Sequence, residues 1–373
     1  MVVRRNRPGR GNAERGEAGL EPACRSDANG MKAITYARYG PPEVLHLADL
    51  STPVPRDDEV LIRVRAAEAT KSDCEMRSFT FSVRWFWLPL RLALGVRRPR
   101  RQVLGAYFAG EVERVGRHVA SFKVGDQVFG TTGLRLGAYG EFIAVPARAT
   151  IVEKPRNMSF TDAAAVPMGG LNALHFMRLA RIRLGDHVLV LGAGGSIGAH
   201  AVQIAKAMGA RVTGVDHGTK AEFLRRVGAD HVVDYRTEDA LAMAGRYDVV
   251  LDMVPGSSLA AAIRALRPGG RYLNGNPRLS ILVRAPFVHW FTSKTATCAF
   301  ARETRDELLA LKAMIEEGAI APIVDRVLPM TEAAEAHRLV ESEARRGAIV
   351  LAIGPEGSTP LAASRHGSMP PRI

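Results

Sequence analysis

Two rhythms of apolar and polar residues divide this chain. From Met31 to about Val145, apolar residues come in short runs closed by glycine. Glu59-Val-Leu-Ile-Arg-Val-Arg65 alternates cleanly, and Gly110-Glu-Val-Glu-Arg-Val-Gly116 and Val124-Gly-Asp-Gln-Val-Phe-Gly130 read as further strands between glycine turns. This predicts a compact, mostly β domain. From about Met168 to Ala301, strand-length runs fall near 187–191, 211–215, 231–233, 248–252, 270–274 and 295–300, with helical stretches between them. Strand and helix in alternation predict an α/β fold with a parallel, doubly wound sheet. Helical spacing returns at Arg305 to Glu317, followed by strand-like runs at Ile323–Val327 and Ala348–Ile353.

The most informative stretch is His187-Val-Leu-Val-Leu-Gly192-Ala-Gly194-Gly195-Ser-Ile-Gly198, a strand that runs into a glycine cluster and then a helix-forming run from Ala199 to Met208. Glycines let backbone N–H groups approach a pyrophosphate, and the helix N-terminus offers free donors and the positive end of its dipole. The spacing is G-x-x-G-x-x-G rather than strict G-x-G-x-x-G. A second strand, Arg211-Val-Thr-Gly-Val215, ends at Asp216, where an acid can accept hydrogen bonds from an adenosine ribose. Gly192, Ala193, Gly194, Gly195, Ser196, Ile197, Gly198 and Asp216 are therefore the expected nucleotide contacts.

Composition narrows the setting. The 373 residues suffice for two domains, and 47% are hydrophobic. No apolar run is long enough to span a bilayer. Arg4, Arg5 and Arg7 are not followed by an apolar segment, so no secretory signal is read there. Three widely spaced cysteines, Cys24, Cys74 and Cys298, make neither a disulfide framework nor a zinc-type pair, and a reducing cytoplasm is expected. The net charge of +13 is read as a solvated, arginine-rich surface, with no nucleic-acid partner. Phe79 to Leu104 mixes Trp85, Phe86, Trp87 and leucines with arginines around Pro89. It is expected to be a lid or pocket wall, with a membrane-surface helix as the alternative.

Several motifs together resemble the medium-chain dehydrogenase/reductase superfamily, in particular its zinc-independent quinone oxidoreductase-like branch. They are Met31-Lys-Ala-Ile, Leu104-Gly-Ala-Tyr-Phe-Ala-Gly-Glu-Val, Val124-Gly-Asp-Gln-Val, Gly137-Ala-Tyr-Gly-Glu-Phe, Ala163-Ala-Ala-Val-Pro, the glycine turn and Gly228-Ala-Asp-His-Val-Val-Asp-Tyr. Val324-Asp-Arg-Val-Leu-Pro-Met and Glu332-Ala-Ala-Glu-Ala-His complete the order. The resemblance runs from Met31 to about Gly354. It implies a GroES-like β-rich catalytic domain split around a Rossmann domain, with the active site between them. The expected division is a disordered tail over 1–30, the first catalytic part over 31–168, the cofactor domain over 169–301, a return segment over 302–354 and a second tail over 355–373.

The zinc-dependent relatives carry a Cys where Thr70 stands and a His-Glu pair where Ala106-Tyr107 stands. No Cys or His lies near Val166-Pro167, the third ligand region, and the cysteine-rich structural zinc lobe is missing. No metal is therefore expected. His175, His187 and His231 are read as surface or core residues. What remains is hydride transfer between a nicotinamide and an apolar enone or quinone-type substrate. Thr70, Ser72 and Tyr107 are the candidate hydroxyl donors to a developing oxyanion, and Asp73 is expected to be an anchor. Lys71, Lys220, Tyr235 and Asn276 resemble positions beside the cofactor. Asp216 favours NADH over NADPH, since a carboxylate near a 2′-phosphate costs up to about 4 kcal/mol at an effective dielectric of 20. A homodimer through the edge strand near Thr295–Phe300 is expected by family resemblance. The competing readings are a metal-free alcohol or aldehyde dehydrogenase, and a non-catalytic protein that senses cofactor or touches membrane or RNA.

Overall fold

The structure, a computed structural model, describes residues 30–81, 87–276 and 278–354. Residues 1–29, Ser82 to Phe86, Pro277 and 355–373 lie outside the described residues, and with them the expected tails and Trp85. The chain opens with β1 (Gly30–Thr35), β2 (His46–Ser51) and the long β3 (Glu59–Ala69), then α1 (Lys71–Ser78) and α2 (Trp87–Leu94). Next come β4 (Tyr107–Val115), β5 (Gln127–Thr131), β6 (Phe142–Pro146) and β7 (Ile151–Glu153). Two helices, α3 (Phe160–Ala164) and α4 (Pro167–Leu179), lead into an alternating run. That run is β8 (His187–Leu191), α5 (Ser196–Ala207), β9 (Arg211–Asp216), α6 (Ala221–Arg226), β10 (His231–Asp234), β11 (Tyr247–Asp252), α7 (Leu259–Ala265), β12 (Leu266–Asn274), α8 (Leu279–Phe291) and β13 (Thr295–Cys298). The chain closes with α9 (Arg305–Glu316), β14 (Val324–Pro329), α10 (Ala333–Glu341) and β15 (Ala348–Ala352).

The alternating run builds a six-stranded sheet in the order β10-β9-β8-β11-β12-β13, with every pair parallel. Chain order reverses between β8 and β11, which opens a crevice beyond their carboxyl ends. The apolar runs on β8, β11 and β12 are buried on both faces, as a parallel sheet covered by helices requires. The other sheet runs β14-β15-β3-β4-β5-β7, and β6 pairs with β3. Its last-made strands cross back to the first domain: Ile349 to Ala352 pair antiparallel with Ala69 to Ala66. The predicted α/β class and the split β domain around a parallel sheet are what the chain forms.

Element ends differ from the sequence reading in explicable ways. Val124 to Asp126 turns rather than extends, because Gly125 has φ +89 and its N–H donates to the Val112 carbonyl. β3 runs four residues past Arg65, to Ala69, and so includes Glu68. The edge strand near 295–300 stops at Cys298.

Phe79 and α2 are tied to the loop after β1. Arg91 stacks on the rings of Tyr39 and Phe79, and the Tyr39 hydroxyl donates to the carbonyls of Leu94 and Gly95. Trp87, Leu88 and Leu92 stay exposed.

Candidate active site

β8 delivers the chain to a turn in which each glycine has its own cause. Gly192 has φ +77, a left-handed conformation that a side chain disfavours. A Cβ at Gly198 would lie 2.2 Å from the Gly192 carbonyl oxygen, so α5 packs directly on the turn. At Gly194 a Cβ would come within 2.8 Å of Asp216 Oδ2. Gly195 differs: its φ is −82, and a Cβ would meet only one atom, at 3.7 Å. The fold leaves that position open, and the first amides of α5 point out of it with no intrahelical acceptor. Ser196 and Ile197 stand at those amides. Ala193 is buried and donates its N–H to the Val215 carbonyl, tying the turn to β9.

Asp216 ends β9 as expected, and its carboxylate is already engaged. Oδ2 accepts from Gly194 N at 2.8 Å, while Oδ1 accepts from His217 N at 2.8 Å and faces Lys220 Nζ at 3.1 Å. Oδ2 keeps a lone pair for a ribose hydroxyl. Lys220 also donates to the Glu343 carbonyl at 2.9 Å, and Lys71 Nζ pairs with Glu343 Oε1 at 2.7 Å. Lys71 therefore meets the cofactor corner through Glu343 rather than the glycine turn. Tyr235 is largely exposed and stands edge-on to the His217 ring at 6.1 Å. Asn276 donates its N–H to Asn274 Oδ1, and its own Nδ2 is buried without a partner among the described residues. An unmade amide donor and an open turn at the sheet's crevice fit a nicotinamide dinucleotide.

Sequence reasoning missed the group beneath Asn276. Asp252, at the tip of β11 and fully buried, accepts from the Val254 N–H, the Tyr272 hydroxyl at 2.6 Å and the Ser257 hydroxyl. Asn274 Nδ2 donates to the same tyrosine oxygen at 3.0 Å. Burial raises the Tyr272 hydroxyl's pKa, and Asp252 adds to it, so the phenol keeps its proton.

Of the three candidate hydroxyls, Thr70 is the N-cap of α1. Its Oγ1 accepts from Asp73 N and donates to Asp73 Oδ2 at 2.6 Å, and Asp73 returns a bond to Thr70 N. This capping box occupies the hydroxyl that sequence offered for chemistry. Asp73 is fully buried, and its other oxygen accepts from Gly105 N at 3.0 Å, which is an anchoring role. Ser72 is exposed on the first turn of α1.

Tyr107, at the start of β4, donates its hydroxyl to Glu303 Oε1 at 2.5 Å. Glu303 leaves the Rossmann sheet just after β13, and its carbonyl is held by Thr150 Oγ1 at 2.8 Å. Burial raises the Glu303 carboxyl's pKa, and Tyr107, Asn172 and Thr131 beside it partly offset that. Burial, then the Glu303 charge, holds the Tyr107 phenol well above its ordinary pKa. Among the described residues, no three His, Cys, Asp or Glu side chains converge to hold a metal ion. No helix among them is long and apolar enough to cross a membrane.

Residues 56–156 match the family model described as alcohol dehydrogenase GroES-like domain, and residues 227–351 match the one described as zinc-binding dehydrogenase. The chain is 30% identical over 335 residues to a quinone oxidoreductase of Sus scrofa, covering 86% of this chain and 97% of that protein. The chain belongs to the quinone oxidoreductase-like branch of the medium-chain dehydrogenase/reductases. Among solved structures, the quinone oxidoreductase from Coxiella burnetii is 29% identical with a TM-score of 0.77, covering 87% of this chain and all of that one. An NAD-dependent alcohol dehydrogenase is 29% identical with a TM-score of 0.74, over 87% of this chain and all of that one. Membership of this family makes the protein an NAD(P)-dependent oxidoreductase.

Proposed function

We propose that the protein is a metal-independent NAD(P)H-dependent reductase of small apolar quinones and enones. A bound nicotinamide supplies the hydride that goes to the electron-poor carbon of the substrate. Charge then develops on the conjugated carbonyl oxygen, which needs a donor. The Tyr107 hydroxyl is the donor in this reading. The phenol turns its O–H from Glu303 Oε1 to the substrate oxygen, gives up its proton there and regains one from solvent, while the Glu303 carboxylate holds the hydroxyl in place between turnovers. The Tyr107–Glu303 pair is the observation that carries the proposal. It supports the reading because it holds a phenol O–H at the seam between the catalytic and cofactor domains.

The ribose end supports NADH. Asp216 is held toward the turn by Gly194 N, which suits a 2′-hydroxyl. A homodimer through the β13 edge is part of the same reading. Exposed Leu279, Val283, Phe287, Trp290 and Phe291 on α8 give that face apolar surface to cover.

The resemblance to an alcohol dehydrogenase favours a second reading, oxidation of an alcohol without metal. Purified protein assayed with benzoquinones, enones and alcohols against both cofactors separates the two. Reduction of conjugated substrates that survives chelation of metal is expected. Turnover of alcohols alone, or activity abolished by chelator and restored by zinc, would reject the proposal.

A further inference from the structure

Three buried polar groups that the reaction does not use lie together where the two sheets meet. Glu68, on β3, is fully buried, and neither of its carboxyl oxygens has a hydrogen-bond partner among the described residues. On α5, Ser196 Oγ and His200 Nε2 are buried and equally unpartnered. Ser196 opens the helix whose amides face the expected pyrophosphate. His200 Nδ1 meets the Ser196 carbonyl at 2.8 Å; a carbonyl only accepts, so Nδ1 holds the ring's proton and Nε2 is a bare acceptor. Gly169 of α4 closes the other side, where a Cβ would fall 2.6 Å from Ser196 Oγ and 2.5 Å from His200 Nδ1.

The charges facing Glu68 are few. Arg345, ahead of β15, favours the ionised carboxyl, and Asp73 of α1 opposes it. Tyr107 of β4 and Tyr139 both feel its charge and both hold their protons. Burial keeps His200 neutral. Of the other titratable groups on elements against β3, Asp162 of α3 bonds Ser159 near the surface, His337 of α10 faces Tyr139, Glu111 and Glu113 of β4 pair with Arg65 and Arg63, and Glu341 and Glu335 of α10 pair with Arg77 and Arg338. Desolvation outweighs these, pushing the Glu68 carboxyl up to about 8, with the Ser196 hydroxyl as its neighbour. An ionised carboxylate buried here would lack compensating bonds and would stand behind a site built to attract another anion.

We infer that Glu68 is a positioning residue for the cofactor: its protonated carboxyl donates to the Ser196 hydroxyl and sets the start of α5 for a pyrophosphate, and its ionisation releases that helix end and weakens binding. This rests on the cofactor reading above. The test is the dissociation constant for NADH, followed by fluorescence titration from pH 6.5 to 9.5, in the wild type and in Glu68→Gln. Gln keeps a neutral donor that cannot ionise. Wild-type affinity is expected to fall about tenfold across that range, one pH unit of coupling, while Glu68→Gln stays within twofold. Ser196→Ala, which removes the acceptor, is expected to flatten the wild-type profile as well. A flat wild-type profile, or a Glu68→Gln profile that still falls, overturns the inference.

Thermal melting without cofactor gives an independent arm. A carboxyl whose pKa is raised by folding loses stability as pH rises from its unfolded value toward its folded one. Glu68→Gln is thus expected to melt higher than wild type at pH 8.5, with the gap closing toward pH 5. An equal gap at both pH values overturns the claim that Glu68 is buried protonated. If neither protein binds NADH at any pH, the cofactor reading and the positioning role fall together, while the melting gap still reports the buried proton.

Discussion

The Tyr107 hydroxyl reaches Glu303 Oε1 over 2.5 Å, although 196 residues separate them. The bond joins a strand of the first domain to the exit of the second, so the cleft and its donor form together. Tyr107→Phe is expected to lower kcat about a hundredfold and leave the NADH dissociation constant within twofold. Glu303→Gln removes the charge that helps raise the phenol's pKa, so the basic limb of the kcat profile should move to lower pH. Stopped-flow rates against pH check both. Unchanged kcat in Tyr107→Phe would remove this residue from the mechanism.

Gly195 and Gly198 offer a contrast within one turn. Gly198→Ala forces a Cβ against the Gly192 carbonyl and should cost about 1–3 kcal/mol of folding stability. Gly195→Ala has room in the fold and should leave the melting temperature within a degree or two. It should nevertheless weaken NADH binding at least tenfold, because its methyl occupies the space over the open amides. Equal binding by Gly195→Ala and wild type would mean that the turn serves structure alone.

Thr70 was offered by the sequence as a donor, and the fold uses its hydroxyl as a cap. Thr70→Ala is expected to cost about 1–2 kcal/mol, and Thr70→Ser to restore most of it. Urea denaturation measures this. A Thr70→Ser variant that is stable yet inactive would return the residue to the chemistry.

At the ribose end, Asp216→Ser removes a carboxylate and frees Lys220 from it. Preference, taken as the ratio of kcat/KM for NADPH over NADH, should rise about tenfold or more, a part of the unscreened cost of like charges. An unchanged ratio would show that Asp216 does not read the ribose.

His337 is fully buried between Arg77, 3.2 Å from its Nδ1, and Tyr139, 3.1 Å from its Nε2. Desolvation first, then Arg77, hold its pKa down to about 3. Its folded value lies below its unfolded one, so the unfolded chain takes up a proton first as pH falls. Stability should drop from about pH 6.5 downward. His337→Gln, which cannot titrate, should flatten that part of the curve in urea titrations at pH 7, 6 and 5. The same slope in both proteins would refute the assignment.

The sequence made some of this legible and hid the rest for physical reasons. The glycine turn was readable because strand, bend and helix are contiguous and each constrains backbone. Asp216 was readable because it ends a strand at a fixed distance from that turn. Glu303 carried no such mark: it lies in an irregular stretch, and only the folded topology brings it to Tyr107. Glu68 interrupts an alanine-rich strand end, an anomaly that the alternation of Glu59 to Arg65 stops short of. The roles of Thr70 and Lys71 depended on partners, Asp73 three residues on and Glu343 272 residues on, and only the nearer of these could be weighed from spacing.

The placement of β15 beside β3 has a consequence for how the protein is made. Ala348 to Ala352 are among the last described residues to leave the ribosome, yet they fill the gap between β14 and a strand made nearly three hundred residues earlier. The nucleotide unit, local in its contacts, can mature while synthesis continues. The first domain must wait with an open seam along β3, where any chaperone that shields nascent strands would have its work, and a chain cut short before Ala348 would keep its cofactor turn but never close its catalytic wall.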